Sequence, residues 1–499
     1  MPRVGSDLSA QFARAGFFAD HGYTPIDLRW YAGVDQLGYS LLSQPVMATL
    51  GVRVTGAVAL VGTAVALAAL LRRTDAPRPL LGALVGTVCI AGNLVSGRVT
   101  YALGVLFAVT ALLALTYPKL RWAAVIAALL ASATSPVAGL FLGLAGVALL
   151  ASGRWVGGLL VAVPAAIPLA FTAALFGDGG WMNISRTDAV RAIVTSLAVA
   201  VLVPRRPVRI GALLSAAGVL AAALIHTPVG LNATRLATMF ALPVLAAYAE
   251  LPAWRRRPES PRDPRLARPL VGALALALLL VAVCWWQPPV VVSDVRDIGN
   301  PTAEPAYFAP LRDRLRQETL TGRVEIPPTR DYWESAYLGD TPLARGWLRQ
   351  VDIDRNPIFF ATVPGASGTG VALTADSYRS WLADKAVQYV AVPDAELSWA
   401  GRGEADLIAT GLPYLTLIWS DTHWHLYAVA DAQPIVAPPA RLVSQSATSV
   451  TFDAPAGADV TLRIRHYDWL KVDNNAVVAA SGAWTLVRVR TAGRYTVTS

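Results

Sequence analysis

The chain has 499 residues, of which 55% are hydrophobic and only 15% are charged, and its mean hydropathy is +0.47. About a quarter of the residues in a soluble protein are charged, so the composition excludes an ordinary soluble protein and is typical of an integral membrane protein with a separate polar domain. The net charge of +9 does not indicate nucleic-acid binding, because the arginines cluster in short loops between apolar runs.

The first 45 residues are polar, aromatic and acidic, and they contain Asp7, Asp20, Asp27 and Asp35. No apolar run long enough for a signal peptide precedes Val46. We interpret residues 1–45 as an extracytoplasmic loop that carries a candidate catalytic acid. A segment that begins outside without a signal needs a way across the membrane. We therefore expect either a further transmembrane helix before Met1 or direct translocation of a short tail.

The apolar runs within residues 46–286 predict a transmembrane helical bundle of about ten spans, although several runs are shorter than the 20 residues that cross a bilayer. The run around residue 135 is broken at Ser135-Pro136, which predicts two short helices or a re-entrant pair. The runs are 46–71, 79–96, 99–116, 121–134, 136–151, 156–176, 190–203, 209–226, 231–250 and 269–286.

Basic residues mark every second loop of this array. Arg72-Arg73, Lys119, Arg154, Arg205-Arg206 and the loop 254–269 follow the odd-numbered runs. The positive-inside rule places these loops in the cytoplasm. Residues 1–45, the loop 177–189 and the tail from Gln287 are then extracytoplasmic, and the protein is a multi-pass protein of the cell membrane.

The sequence pattern of the tail predicts two extracytoplasmic regions. Residues 287–435 indicate a mixed α/β region, with helical spacing in 306–318 and strand patterns in 386–393 and 416–430. Residues 436–499 consist of short alternating strands separated by Gly, Pro and Asn, which is typical of a small β-sandwich.

No predicted span has a carboxylate in its middle, which argues against an ion-coupled transporter. Four polar residues, Arg98, His226, Asn232 and Arg235, lie at the outer ends of spans. They either snorkel to headgroups or bind the phosphate of a lipid-linked substrate. Arg29 has the same two interpretations.

The stretch 323–352 is rich in charged and aromatic residues. Glu325, Glu334, Arg345 and Arg349 are candidates for sugar or phosphate contacts, and Trp333 and Trp347 could stack on sugar rings. The alternative is a charged, aromatic face that docks the tail on the bundle. The two cysteines lie in apolar runs and no metal-ligand motif is present, so we predict no cofactor and no metal.

The stretches SDLSAQFARAGFF (6–18), WYAGVDQLGYSLLSQP (30–45) and SPVAGLFLGL (135–144), with the Asn232/Arg235 helix, resemble the GT-C superfamily of polyprenyl-phosphate-sugar-dependent glycosyltransferases and their actinobacterial membrane-protein relatives. In such enzymes an acidic residue in the first outer loop acts as general base or metal ligand toward the acceptor hydroxyl. The residue in that place here is Asp7. Many members show two adjacent acids, whereas this sequence has Ser6-Asp7.

The resemblance implies a glycosyltransferase that moves a sugar from a lipid-linked donor to a cell-envelope glycan or lipid acceptor, with Asp7 as base and an arginine stabilising the departing phosphate. Asp27, Glu325 and Glu334 are alternative outer acids. Two other functions stay open: a non-catalytic envelope protein that binds glycan or protein partners, and a transporter or lipid flippase. We predict that Asp7, Arg29, Arg235 and residues 323–349 converge near one outer cavity.

Overall fold

Three separate stretches of the chain fold together into one polar unit, and the rest forms a helical unit. The computed structural model describes residues 5–177, 179–251, 267–366 and 371–499. The polar unit comprises the described residues of Met1–Tyr39, Phe176–Trp181 and Asp297–Ser499, and the helical unit those of Ser40–Leu175 and Met182–Arg296. Most of the predicted basic loop 254–269 lies outside the described residues.

The polar unit begins with a helix that the sequence did not predict, α1 (Leu8–His21), followed by the antiparallel strands β1 (Ile26–Asp27) and β2 (Val34–Asp35). Ile26 and Leu28 are fully buried in the same hydrophobic cluster as residues of the C-terminal strands. The backbone N–H of Leu28 donates to the carbonyl of Ala447 at 2.8 Å. The first residues of the chain are therefore part of the fold of the tail.

The described residues of the helical unit form mainly α-helices. Their order is α2 (Ser43–Leu50), α3 (Val52–Arg73), α4 (Pro79–Val95), α5 (Val99–Ala114), α6 (Arg121–Thr134), α7 (Pro136–Ala151), α8 (Trp155–Leu175), α9 (Arg186–Leu202), α10 (Arg206–Leu224), α11 (Arg235–Tyr248), α12 (Ala267–Trp286) and α13 (Val292–Arg296).

The expected count of about ten spans is not reached by helix length. Four helical segments of the described residues are long and apolar enough to cross a membrane: Val52–Arg73, Trp155–Leu175, Arg206–Leu224 and Gly230–Tyr248. The other apolar runs form shorter helices, some of which end at a capping residue. Ser135, for example, ends α6 and accepts a hydrogen bond from the N–H of Ala138 as the N-cap of α7, with Pro136 at the first helical position.

Small residues bring the helices into close contact. A Cβ on Gly146 of α7 would lie 2.7 Å from the Cβ of Ala162, and one on Gly158 of α8 would lie 2.7 Å from the carbonyl oxygen of Gly146. Without side chains at these two positions the backbones of α7 and α8 approach directly, as is common where helices pack in membranes.

The tail continues the polar unit with an α/β region. Its helices are α14 (Pro305–Leu315), α15 (Glu334–Tyr337), α16 (Arg349–Arg355), α17 (Ala375–Asp384) and α18 (Trp399–Ala409). Its strands are β3 (Arg323–Glu325), β4 (Val387–Pro393), β5 (Leu415–Ser420) and β6 (Trp424–Val429), in the order β3-β4-β6-β5. β3 is parallel to β4, and the other pairs are antiparallel.

The chain ends in a β-sandwich of two antiparallel sheets. The strands are β7 (Arg441–Gln445), β8 (Ser449–Ala454), β9 (Asp459–Leu462), β10 (Lys471–Val472), β11 (Val477–Ser481), β12 (Trp484–Arg488) and β13 (Gly493–Thr498). One sheet has the order β10-β13-β8-β7 and the other β11-β12-β9. Residues of both sheets, such as Phe452 and Val487, share one core.

The turn after α8 is the third stretch of the polar unit. The ring of Phe176 stacks on Trp469 with a centroid distance of 5.3 Å and an interplanar angle of 23°. Trp181 packs against the core that contains Phe360 and Tyr378. This short turn is therefore held by the tail at both of its ends.

Candidate functional site

Asp7, the predicted base, is half-buried at the N-terminal end of α1. Its backbone carbonyl accepts a hydrogen bond from Gln11 Nε2 at 3.3 Å, and Ser6 Oγ donates to Asp7 Oδ1 at 3.4 Å. The indole N–H of Trp347 donates to the carbonyl of Ser6 at 3.0 Å. The turn that carries Asp7 is thus fixed against the 323–349 stretch.

Asp27 and Arg29, two further predicted site residues, bind each other. Arg29 Nη2 lies 2.7 Å from Asp27 Oδ2, and Arg29 Nε donates to Asp27 Oδ1 at 2.9 Å. The Asp27 side chain is fully buried, and that of Arg29 is 12% exposed. A buried bidentate pair of this kind orders the backbone around it. The backbone carbonyl of Arg29 also accepts from the N–H of Leu343 at 2.7 Å.

A chain of buried polar contacts joins this pair to α1, and the sequence did not reveal it. Gln36 Nε2 donates to Asp27 Oδ2 at 3.0 Å, and Arg14 Nη1 donates to Gln36 Oε1 at 2.9 Å. The Arg14 guanidinium lies 4.2 Å from the centroid of the Tyr39 ring, and the Tyr39 hydroxyl accepts from Gln11 at 3.2 Å. The one sequence signal is the i, i+3 spacing of Gln11 and Arg14, which places both on one face of α1.

Arg345 lies at the centre of a buried ionic network in the α/β region. Its guanidinium contacts Asp352 Oδ2 at 3.1 Å, Glu404 Oε2 at 2.9 Å and Glu325 Oε1 at 3.5 Å. All four side chains are at most 1% exposed, and the guanidinium carbon lies 3.9 Å from the centroid of the Phe359 ring. Arg345 and Glu325 therefore face inward, and their charges are directed at each other.

Three carboxyls around one guanidinium retain a proton. Burial, with Glu404 nearby, raises the pKa of Glu325 well above its usual value, and Glu325 hydrogen-bonds to Glu404. Burial also raises the pKa of Glu404, to about 7. Glu404 in turn accepts from the Tyr378 hydroxyl at 2.8 Å. Glu325 is thus the protonated member of the pair, because Glu404 has more charged and polar donors around it.

The other predicted contacts of the 323–352 stretch differ in exposure. Glu334 is buried and accepts from the Thr329 hydroxyl at 2.5 Å, and burial raises the pKa of its carboxyl to about 7. Trp333 is fully buried and stacks on Tyr337 at 5.0 Å. Arg349, at the start of α16, is half-buried and has no ion pair within the described residues, which leaves its guanidinium available to a ligand.

In the helical unit, one tyrosine lies within the electrostatic reach of both Arg98 and Arg235. The guanidinium of Arg235 lies 5.2 Å from the centroid of the Tyr101 ring, and the charges of both arginines act on the Tyr101 hydroxyl. This hydroxyl is buried and has no hydrogen-bond partner among the described residues. Arg98 precedes α5 and Arg235 begins α11, whereas Asn232 lies in the turn before α11.

The structure thus groups the predicted residues in three places: Asp7, Asp27 and Arg29 near residues 343–347, Glu325 with Arg345 in the tail core, and Arg98 with Arg235 at Tyr101. Among the described residues, no group of three or more His, Cys, Asp or Glu side chains is arranged to hold a metal ion. A comparison with family models found no match, and a comparison with curated proteins found none either.

Proposed function

We propose that this chain is an integral membrane glycosyltransferase that transfers a sugar from a polyprenyl-phosphate donor to a cell-envelope acceptor. The observation that carries the proposal is the position of the Arg235 guanidinium 5.2 Å from the centroid of the Tyr101 ring, with the charge of Arg98 also acting on the buried Tyr101 hydroxyl. Two guanidinium groups and a hydroxyl form a donor set for phosphate oxygens. Placed there, they stabilise the charge that develops on the departing polyprenyl phosphate.

The three stretches of the polar unit fold together, which supports their lying on the same side of the membrane. A stretch that folds with the tail lies on the same side of the membrane as the tail. The chain therefore crosses an even number of times between residues 39 and 176, and again between 181 and 297. Helices of 14 to 17 residues cross where the bilayer thins or where they are buried by neighbours.

The basic loops indicate which side of the membrane the polar unit lies on. They alternate with the loops that join the polar unit, so the polar unit is extracytoplasmic under the positive-inside rule. Asp7 is then the acid closest to the start of the outer segment, and it deprotonates the acceptor hydroxyl as general base. A proton- or sodium-coupled transporter is disfavoured, because no predicted span has a carboxylate in its middle.

The test is transfer of radiolabelled pentoses and hexoses from decaprenyl phosphate to envelope extracts by the purified chain in nanodiscs. Asp7→Asn is expected to lower transfer at least about 100-fold, the usual contribution of a general base. Asp20→Asn is the matched control, because Asp20 is exposed on the same helix. Arg235→Gln is expected to raise KM for the donor and lower kcat.

Two outcomes contradict the proposal. Equal transfer by the wild type and Asp7→Asn removes Asp7 as the base. No transfer by the wild type from any of these donors argues for the second candidate, a non-catalytic envelope protein that binds glycan.

A further inference from the structure

Five cationic side chains lie close together in the polar unit, where β3 and β4 meet the sandwich. Arg323 is on β3, Lys385 precedes β4, Arg355 ends α16, and Arg463 and Arg465 follow β9. Arg323 and Lys385 each lie within the electrostatic reach of Arg465, which also feels Arg355. None of these positions was singled out by the sequence patterns.

Arg323 is a buried cation that forms no ion pair with a carboxylate of the described residues. Its side chain is 1% exposed, and its two terminal nitrogens donate to the backbone carbonyls of Lys385, at 2.8 Å, and Arg463. Its Nε has no hydrogen-bond partner among the described residues. Burial, with Arg465 and Arg463 nearby, lowers the pKa of Arg323 to about 9. A buried charge without a counter-ion is costly unless something else compensates it.

Arg465 and Lys385 bring this positive charge to a half-exposed indole. The guanidinium carbon of Arg465 lies 4.8 Å, and Lys385 Nζ 5.5 Å, from the centroid of the Trp484 ring. Among the described residues, the Arg465 side chain donates one hydrogen bond, a long one of 3.4 Å to the carbonyl of Ala483, and its Nε is buried without a partner.

The acids near this cluster do not balance it. Lys385 Nζ pairs with Asp384 at 2.8 Å, and Asp354 also acts on Arg465. Both acids are exposed. Within the described part of the chain, Arg323, Arg463 and Arg465 form no ion pair. The cluster thus keeps an excess of positive charge in a partly desolvated place, which favours an anion.

We propose that Arg465, Lys385 and Trp484 form a binding site for an oxyanion carried by a sugar, such as a sugar phosphate of an envelope glycan. Arg465 binds the oxyanion through its guanidinium nitrogens, Lys385 adds a point charge, and the indole contacts the sugar ring. Arg323, which is buried, adds positive charge to the site without contacting the ligand. The site is independent of the proposed transfer reaction, because it needs no lipid-linked donor.

The test is calorimetric titration of the full chain in a non-ionic detergent with inorganic phosphate, glucose 1-phosphate and glucose at constant ionic strength. We expect glucose 1-phosphate to bind more tightly than phosphate, and glucose not to bind. Arg465→Gln is expected to weaken glucose 1-phosphate binding about tenfold or more, since a hydrogen bond to a charged group is lost. Arg465→Lys should lose less.

Arg488→Gln is the matched control. Arg488 lies on the same strand as Trp484, is 62% exposed and is 3.8 Å from its nearest carboxylate, that of Asp459. The Arg488→Gln variant should bind glucose 1-phosphate with the same affinity as the wild type. No binding of either phosphate by the wild type, or equal loss in Arg488→Gln and Arg465→Gln, overturns the site. Equal affinity for phosphate and glucose 1-phosphate overturns the role of the indole. Thermal melting without ligand shows whether each variant is folded.

Discussion

Replacing Glu325 with glutamine should stabilise the polar unit at neutral and alkaline pH. The glutamine amide N–H can donate to Glu404 as the protonated carboxyl does, while its carbonyl still accepts from Arg345. It removes the requirement that the folded chain keep a proton on a buried carboxyl. Most substitutions of a fully buried charged residue destabilise a protein, so an increase in the free energy of unfolding would distinguish this substitution from them.

The size of this stabilisation follows from the pH dependence of the free energy of unfolding. Below about pH 4.5 the carboxyl is protonated in both the folded and unfolded states, so it contributes nothing to the pH dependence. Above that pH the unfolded chain releases the proton, while the folded chain retains it because burial raises the pKa of Glu325 and that of Glu404, the latter to about 7. This one proton lowers the free energy of unfolding by about 1.4 kcal/mol per pH unit, roughly 3 kcal/mol from pH 4.5 to 7. The buried carboxyl of Glu334, whose pKa is raised to about 7, adds a similar fall in both the wild type and Glu325→Gln.

The assay is urea pulse proteolysis of the full chain in detergent from pH 4.5 to 8, with thermal melting as a second measure. Glu325→Gln should unfold at higher urea concentration than the wild type at pH 7, and the two should converge near pH 4.5. Asp352→Asn is the contrasting variant, because it removes a carboxylate that Arg345 needs and should cost about 3 kcal/mol. A Glu325→Gln variant less stable than the wild type at pH 8 would refute the shared proton.

Two further substitutions test the polar unit by thermal melting. Gly346→Ala should destabilise by about 1–3 kcal/mol, because its Cβ would lie 2.7 Å from Cγ of the buried Trp30; Gly16→Ala, with nothing within 4 Å of the added Cβ, should leave the melting temperature unchanged or raise it. Asp27→Asn should cost about 3 kcal/mol, since it leaves the buried Arg29 without its charge partner; a melting temperature equal to that of the wild type would show that the pair is dispensable.

Local patterns predicted the secondary structure of the tail well. The helical spacing of 306–318 is confirmed by α14, and the strand pattern of 386–393 by β4. The apolar segment 416–430 forms the hairpin β5–β6, and the short strands after residue 440 form the sandwich. Side-chain alternation and Gly/Pro turns are local signals, so they survive without knowledge of the tertiary fold.

The partners of charged residues could not be predicted in this way. Glu325 and Arg345 are 20 residues apart in sequence, but the third member, Glu404, comes from a different helix, and only the fold brings it to Arg345. A charged stretch that looks solvated can thus be an internal network. Arg349, four residues after Arg345, shows the opposite case, because it lies at a helix start where its side chain reaches the surface.

The fold of the first 39 residues has a consequence for the helical unit. A segment before the first apolar helix, a turn after α8 and the tail after α13 belong to one polar unit. Under the proposed topology, chain crossings can therefore be added or lost only in pairs within each interval between these stretches. Reading α6 and α7 as one re-entrant pair rather than two crossings keeps this parity, whereas removing either alone breaks it. In a chain with Cys89 and Cys284 replaced by alanine, cysteines introduced singly at Ser152, in the turn after α7, and at Trp181 test the crossing by α8. A membrane-impermeant maleimide applied to intact cells should label the second and not the first, and labelling of both would contradict a crossing by α8.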